Sequence, residues 1–509
     1  MRSFISNQNP DPAQPLGTRP PLHPLEAALL AVTGLHLCFL PWALGTMHLW
    51  SQLTSLGFSF VGFFLALLPR REASGWSSPS PAARSATARL HRQPVFWAGL
   101  VVLGYIAAQG LNPAWHYESD ADSWWLEPVV HVAWLPAGID VPFPLSGPGR
   151  SLVIFGSLWL LLCSVTVGFL RRHSYRVLFT LLAGNALGLA LLGLLQVATG
   201  TTRIFWVYLP SNSAFSSSFI YPNHAGAYLN LMVALATGLA LWSYRRARHG
   251  LEKISLAALY TLVAAGAGLM VIFSCSRGSI IMLLAFTLFS TVAHALRLMR
   301  RRSAAGSTRP EILPLVLTFA AFLGTVLVSF NTDKVWNRFA EMLANPVAAA
   351  QDRRVAREAA TEMLADRWVL GWGAGGFRHA FPLYAQKHPA IYLAGGEGRK
   401  LWEHAHNDLI EFPLELGLVG LLPVLFVIGH GVWQGLRRRG RRNAVTVLLL
   451  LGCGLLLLHA GVDFVLQNPA VLLTAGVLFV AQARWAELDE LKPTTPPGEA
   501  RRDSPAASS

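Results

Sequence analysis

From Glu403 to Glu411 the chain reads EHAHNDLIE, placing two histidines, an asparagine and three acids in one short stretch. Histidine titrates near neutral pH, so His406 at a helix start is able to be neutral and take a proton. Asp408 and Glu411 then fall in the first turn, where carboxylates suit the positive helix end. Gly417 and Gly420 follow at small-residue spacing, which permits close helix packing. Plainer roles fit the same residues. His406 also reads as a capping or interface histidine, and His404 as a second base, an orienting group or part of the interface.

A second reactive type stands alone. Arg277 lies in SCSRGS, Ser274 to Ser279, between two long apolar runs. An arginine deep in hydrocarbon is costly and one at a water boundary is not. The turn is therefore expected at a membrane–water boundary. Its neighbours Ser276, Gly278 and Ser279 leave room for a head group or simply make a tight turn.

The elements that position these residues follow from composition. The chain of 509 residues is 53% hydrophobic and only 13% charged, as in membrane proteins. Its net charge of +14 would suit nucleic acid, but the basic residues occur in short clusters flanking apolar runs. That placement fits anchoring at an anionic membrane face and argues against nucleic acid as a partner. The four cysteines lie in or beside apolar runs without metal-type spacing and read as small core residues. No cleavable signal peptide is visible, and the first apolar run reads as a first span.

About twelve runs are long enough to span a bilayer. They lie near 25–46, 52–69, 95–111, 151–170, 177–199, 224–243, 254–273, 279–296, 312–330, 408–436, 444–462 and 469–485. The basic loops alternate, so the positive-inside rule puts them, and both termini, in the cytoplasm. The expected organisation is a cytoplasmic tail at 1–24 and N-terminal spans at 25–199. Central spans with the arginine turn follow at 200–330, a periplasmic loop at 331–405 and C-terminal spans at 406–486. A disordered cytoplasmic tail closes the chain at 487–509. Within the long loop, a helix is expected from about Asp352 to Val369, ended by Gly371, Gly373, Gly375 and Gly376. The Trp-rich acidic stretch 112–150 is expected to be an outer loop, its aromatics an interfacial belt or a sugar-stacking surface. Its Asp120 and Asp122 read as solvated acids, so no metal or other cofactor is expected. With this topology Arg277, His224, His404, His406, His459 and Asp463 converge on one face.

Several of these stretches resemble, in order, the O-antigen ligase superfamily of bacterial inner-membrane enzymes. His406-Asn407 followed by Gly417-Leu418-Val419-Gly420 is similar to its signature, with Leu421 where the family often has Thr or Tyr. Tyr221–Leu229 is similar to its Pro-Asn-His start of a span, and Ser276–Gly278 to its outer arginine turn. Residues 352–377 resemble its loop helix and Gly-rich turn, and His459–Ala470 its C-terminal His–Asp-Phe–Pro element. The resemblance covers roughly residues 200–470.

The resemblance implies an all-α polytopic membrane protein of GT-C-like form. It implies glycan transfer from an undecaprenyl-diphosphate carrier to the hydroxyl of a lipid or glycan acceptor at the periplasmic face of the inner membrane. Polymerases and protein O-oligosaccharyltransferases share the pattern. His406 would position or deprotonate the hydroxyl, and Arg277 would hold the diphosphate with a loop arginine. Arg353 is the expected partner, Arg354 its neighbour and substitute, with Arg338 and Arg357 further candidates. His404, Asn407, Asn223, His224, His459 and Asp463 would contact substrate, Asp463 either orienting a histidine or lining the acceptor path. A transporter without chemistry is the reading from another class. It fits less well, because the polar residues gather at one face and no repeat is evident.

Overall fold

The computed structural model describes residues 22–70, 85–121, 123–210, 215–248, 254–305, 347–393, 401–437 and 443–490. The chain is an all-α polytopic membrane protein with one small sheet. Its long helices are α1 (Pro24–Trp42), α2 (Leu49–Leu67), α3 (Pro94–Leu111), α4 (Pro148–Gly168), α5 (Arg172–Thr199) and α6 (Pro222–Arg248). They continue with α7 (Ile254–Phe273), α8 (Arg277–Ala305), α9 (Val347–Asp366), α10 (Asp408–Leu436), α11 (Ala444–Ala460) and α12 (Pro469–Glu490). Among the described residues, ten are long and apolar enough to cross a membrane, and α11 is a shorter apolar helix. Helix α9 is not apolar and belongs to the long loop. The run expected at 312–330 lies outside the described residues, as does Arg338.

Proline sets the start of five of these helices, at Pro24, Pro94, Pro148, Pro222 and Pro469. The first helical position needs no N–H donor, and the fixed φ of proline is already helical there. The outer surface is apolar: Phe60, Phe64, Leu284, Leu288, Leu425 and Phe426 are all exposed. Such a surface is stable only against lipid or another apolar body. Inside the bundle, small polar side chains cross-link helices, as in the relay His36–Ser55–Ser157–Ser59 joining α1, α2 and α4.

The stretch 112–150 departs from its expected loop character. Strands β1 (Pro113–Ser119), β2 (Trp124–Pro128) and β3 (Gly138–Asp140) form a sheet in the order β2-β1-β3. β1 pairs antiparallel with β2 and parallel with β3. Asp120 tightens the hairpin by accepting from the Ser123 amide at 2.6 Å. Asp122 lies outside the described residues. Trp115 and Leu126 pack on a core that belongs to the long loop, so part of the aromatic content serves packing and not a belt.

That loop core makes a cap over one end of the bundle. Ala356, Ala359, Ala360 and Met363 form one buried stripe of α9, meeting Ile139, Trp372, Phe377, Phe381 and Trp402. The large side chains each contribute roughly 1.5–3 kcal/mol on burial. After α9 come the glycines, and Gly371, Gly373 and Gly375 adopt φ of 75°, 100° and 71°. The turn docks on a break in α10, where Gly417 has φ 63° and ψ 178°. There the Trp372 and Gly373 amides donate to the Leu414 and Glu415 carbonyls at 2.8 and 3.0 Å. The Leu418 and Val419 amides return bonds to the Trp368 and Val369 carbonyls at 2.8 and 3.2 Å. Backbone groups orphaned by the break are thus satisfied by the cap. Buried Gln109 of α3 completes the joint, accepting from the Ala374 amide and donating to the Glu415 carbonyl. Gly417 is therefore a break receiving the cap, whereas Gly420 packs closely, against the Tyr105 ring of α3.

Candidate active site

Under the cap, four chain segments meet. Asn407 caps α10 by accepting from the Leu409 amide at 3.0 Å, which fixes the turn ahead of it. In that turn His406 is held at φ 51°, a left-handed conformation sparsely used by residues other than glycine. Its Nδ1 faces Asp463 Oδ1 at 3.3 Å. Asp463 lies on the last turn after α11, its amide donating to the His459 carbonyl at 3.1 Å. The other carboxylate oxygen accepts from Asn223 Nδ2, whose amide also bonds the Tyr221 hydroxyl at 3.1 Å. The Arg353 guanidinium lies close enough for its charge to act on both Tyr221 and Asp463.

These neighbours set the protonation of the carboxylate. Burial pushes the Asp463 carboxyl up, but the hydrogen bond and charge of His406, with the Phe464 amide and Arg353, hold it below the usual carboxylate range. Burial and the Asp463 charge push the Tyr221 phenol up to about 12, against the opposing pull of Arg353. Tyr221 is thus a neutral hydroxyl at physiological pH.

Phe464 is the hub of the cluster. Its ring stacks on Tyr221 at 5.0 Å and on His404 at 4.6 Å, and meets the edges of His406 and His224 at 4.8 and 5.1 Å. His404 Nδ1 pairs with Glu411 Oε1 at 2.7 Å, and Glu411 Oε2 accepts from the Ala405 amide at 2.7 Å. The side chains of His404 and His406 remain 19% and 21% exposed, so each imidazole keeps an accessible edge. Among the described residues neither Nε2 has a hydrogen-bond partner. The first-turn acids of α10 do more than meet the helix dipole: Glu411 holds His404, and Asp408 accepts from the Leu466 amide at 2.7 Å, tying α10 to the turn carrying Asp463.

The remaining residues singled out by the sequence take distinct places. His224 is buried, its Nε2 facing the Phe464 carbonyl at 3.2 Å and its Nδ1 facing Asn468 at 3.4 Å, so it supports the hub from beneath. Arg277 opens α8 and is exposed, with no partner among the described residues. Ser276 caps that helix, accepting from the Ser279 amide at 3.3 Å. His459 turns toward this helix: a Cβ on Gly278 would stand 2.6 Å from its Nε2. Gly278 therefore makes room for the His459 ring, and Asp463 orients His406 instead of His459. On α9, Arg353 lies three and seven residues before Ala356 and Ala360, on the stripe that faces inward. Arg354 is on the outward side, 3.8 Å from Glu358 and largely exposed. Arg357 Nε donates to the Arg353 carbonyl at 3.2 Å.

The O-antigen ligase family model matches residues 262–425, a segment containing Arg277, Arg353, His404, His406 and Gly417. Over this segment, about a third of the chain, the protein is similar to the O-antigen ligase family. No curated protein matches the chain. The matched segment supplies the exposed arginine and both histidines. The flanks supply what holds the histidines: Asp463 and Phe464 after it contact them, and Asn223 before it holds Asp463. Sequence reasoning did not pick out Tyr221, Phe464 or Glu411 as members of the cluster. The available signal was adjacency: Tyr221 precedes Pro-Asn-His, Phe464 follows Asp463, and Glu411 sits seven residues, two helical turns, past His404.

Proposed function

We propose that this protein, similar over residues 262–425 to the O-antigen ligase family, transfers a glycan from an undecaprenyl-diphosphate carrier to an acceptor hydroxyl at the periplasmic face of the inner membrane. The observation that carries the reading is the His406–Asp463 pair, with Arg353 beside it and the free Nε2 of His406 turned to an accessible edge. With Nδ1–H donated to Asp463, the lone pair on Nε2 is the open one. Nε2 takes the proton of the acceptor hydroxyl as its oxygen bonds the anomeric carbon. The bond from that carbon to the diphosphate breaks, and the lipid diphosphate leaves with the electron pair. Arg277 and Arg353 stabilise the charge gathering on it, since guanidinium stays charged and binds phosphate oxygens in pairs. His224 and Asn407 act through the backbone that they fix, and His459 acts through its packing on the Arg277 turn. Arg354, on the outward face, serves only if Arg353 is absent.

The test is glycan transfer by purified protein or membranes given a lipid-linked glycan and acceptor. His406→Ala and Arg277→Ala are expected to abolish transfer at normal protein levels. Normal transfer by either variant defeats the mechanism. Deletion in the native host then separates the acceptor classes: loss of attachment to lipid marks a ligase, and shortened chains mark a polymerase.

A further inference from the structure

The cluster holds two imidazole–carboxylate pairs around Phe464, one histidine stacked on the ring and the other edge-on, and they are built differently. Asp463 shares its charge among His406, Asn223, the Phe464 amide and Arg353, and His406 stands 3.3 Å away. Glu411 is 1% exposed in its side chain and faces His404 at 2.7 Å, with only the Ala405 amide on its other oxygen. A buried carboxylate with so few donors stays ionised only when its partner carries the compensating charge. The His404 ring also lies flat on Phe464, with 22° between planes, the arrangement that favours a cation over an aromatic face.

Resting on the transfer reading above, we infer that His404 serves as a standing cation of the site: Glu411 takes its Nδ1–H, and its Nε2–H donates to a phosphate oxygen of the substrate. Glu411 is then a positioning residue. The two histidines divide the work, His406 taking the acceptor proton while His404 remains charged and adds a third cation to Arg277 and Arg353. The groups facing His404 are Glu403 in its own segment, Glu411 and Glu415 on α10, and His224 on α6. Around Phe464 also stand Tyr221, His406 and Asp463, with Arg353 of α9 near Tyr221 and Asp463. Burial pulls the His404 imidazole down, but the attraction and hydrogen bond of Glu411, with Glu415 and Glu403, win and hold it above its ordinary value.

The experiment measures transfer against pH, and binding of undecaprenyl diphosphate to the detergent-solubilised full chain over the same range. Glu411→Gln lets His404 lose its proton at lower pH, so the alkaline limb of the profile should move to lower pH while activity at the acid end is kept. His404→Gln should raise the KM of the phosphate-bearing substrate about 10-fold or more and abolish that limb, as expected for one lost charge-assisted bond. His404→Arg in the Glu411→Gln background should restore binding without the limb. A shift in diphosphate binding locates the phosphate on the donor, and a shift confined to acceptor KM locates it on the acceptor. An unchanged profile in Glu411→Gln, or an equal loss at every pH with normal protein levels, overturns the inference. Those results leave the transfer reading intact, because that reading stands on His406. Conversely, His404-dependent binding without any transfer would overturn the transfer reading and keep the cation.

Discussion

Gly371 and Gly417 face each other backbone to backbone: a Cβ on either would stand 2.6 Å from the amide nitrogen of the other. Both have left-handed φ, so alanine is excluded twice, by conformation and by contact. Gly371→Ala or Gly417→Ala should cost roughly 1–3 kcal/mol in strain alone. The expected result is a cap that detaches while the spans still insert. Limited proteolysis should then cut the long loop faster than in wild type, with glycan transfer lost. Unchanged cleavage and transfer would show that the joint is dispensable.

In the proposed transfer, the Asp463 carboxylate facing His406 Nδ1 orients the imidazole and offsets its charge as it takes a proton. Asp463→Asn keeps the volume and the Asn223 neighbour but removes the charge. Transfer should fall on the order of 10²-fold, mainly in kcat, the usual scale for a disabled proton acceptor. A change confined to KM would instead make Asp463 a substrate contact.

Arg353 and Arg354 are adjacent in sequence and opposite in space. Arg353→Ala should lower transfer on the order of 10²-fold, the scale of one lost electrostatic donor. Arg354→Ala removes only an exposed pair with Glu358 and should leave transfer near wild type. Equal losses in both variants would remove the special place of Arg353.

Stability should depend on pH through His404. Its folded value is raised above the unfolded value of about 6.5, so the pair with Glu411 contributes fully below that pH. The contribution is lost as pH rises through the raised value. Asp463 is the opposite case, with a depressed value: its contribution is present above about 3.9 and lost as pH falls. The difference in melting temperature between wild type and His404→Gln should therefore shrink from pH 6 toward alkaline pH. A difference that grows with pH would contradict the pairing.

Orientation is open to chemical labelling. In a cysteine-free background, Ala390→Cys in the cap should react with a membrane-impermeant maleimide added outside. Arg248→Cys, at the far end of α6, should stay protected until the membrane is opened. The reverse pattern would put the cap in the cytoplasm.

The spans were legible because twenty apolar residues in a row have few other uses, and eleven of the expected runs coincide with apolar helices. The twelfth lies outside the described residues. The loop helix was legible from its helix formers and glycines, although it starts five residues earlier than expected, at Val347. The sheet was missed because β1 and β2 carry His, Glu and Ser among their aromatics and so resemble a polar loop. Gly417 was read as a packing residue, since helix packing and helix breakage favour the same amino acid. The roles of Glu411 and Phe464 depend on contacts between segments far apart in the chain, which spacing does not encode.

The hub residue has a consequence for biosynthesis. Tyr221, His404, His406 and Phe464 are made in that order, and the ring that packs against the other three comes last. A chain emerging into the membrane carries its arginines and histidines early, yet has no organised centre until the turn after α11 is in place. Any truncation before Phe464 should therefore yield an inserted but silent product.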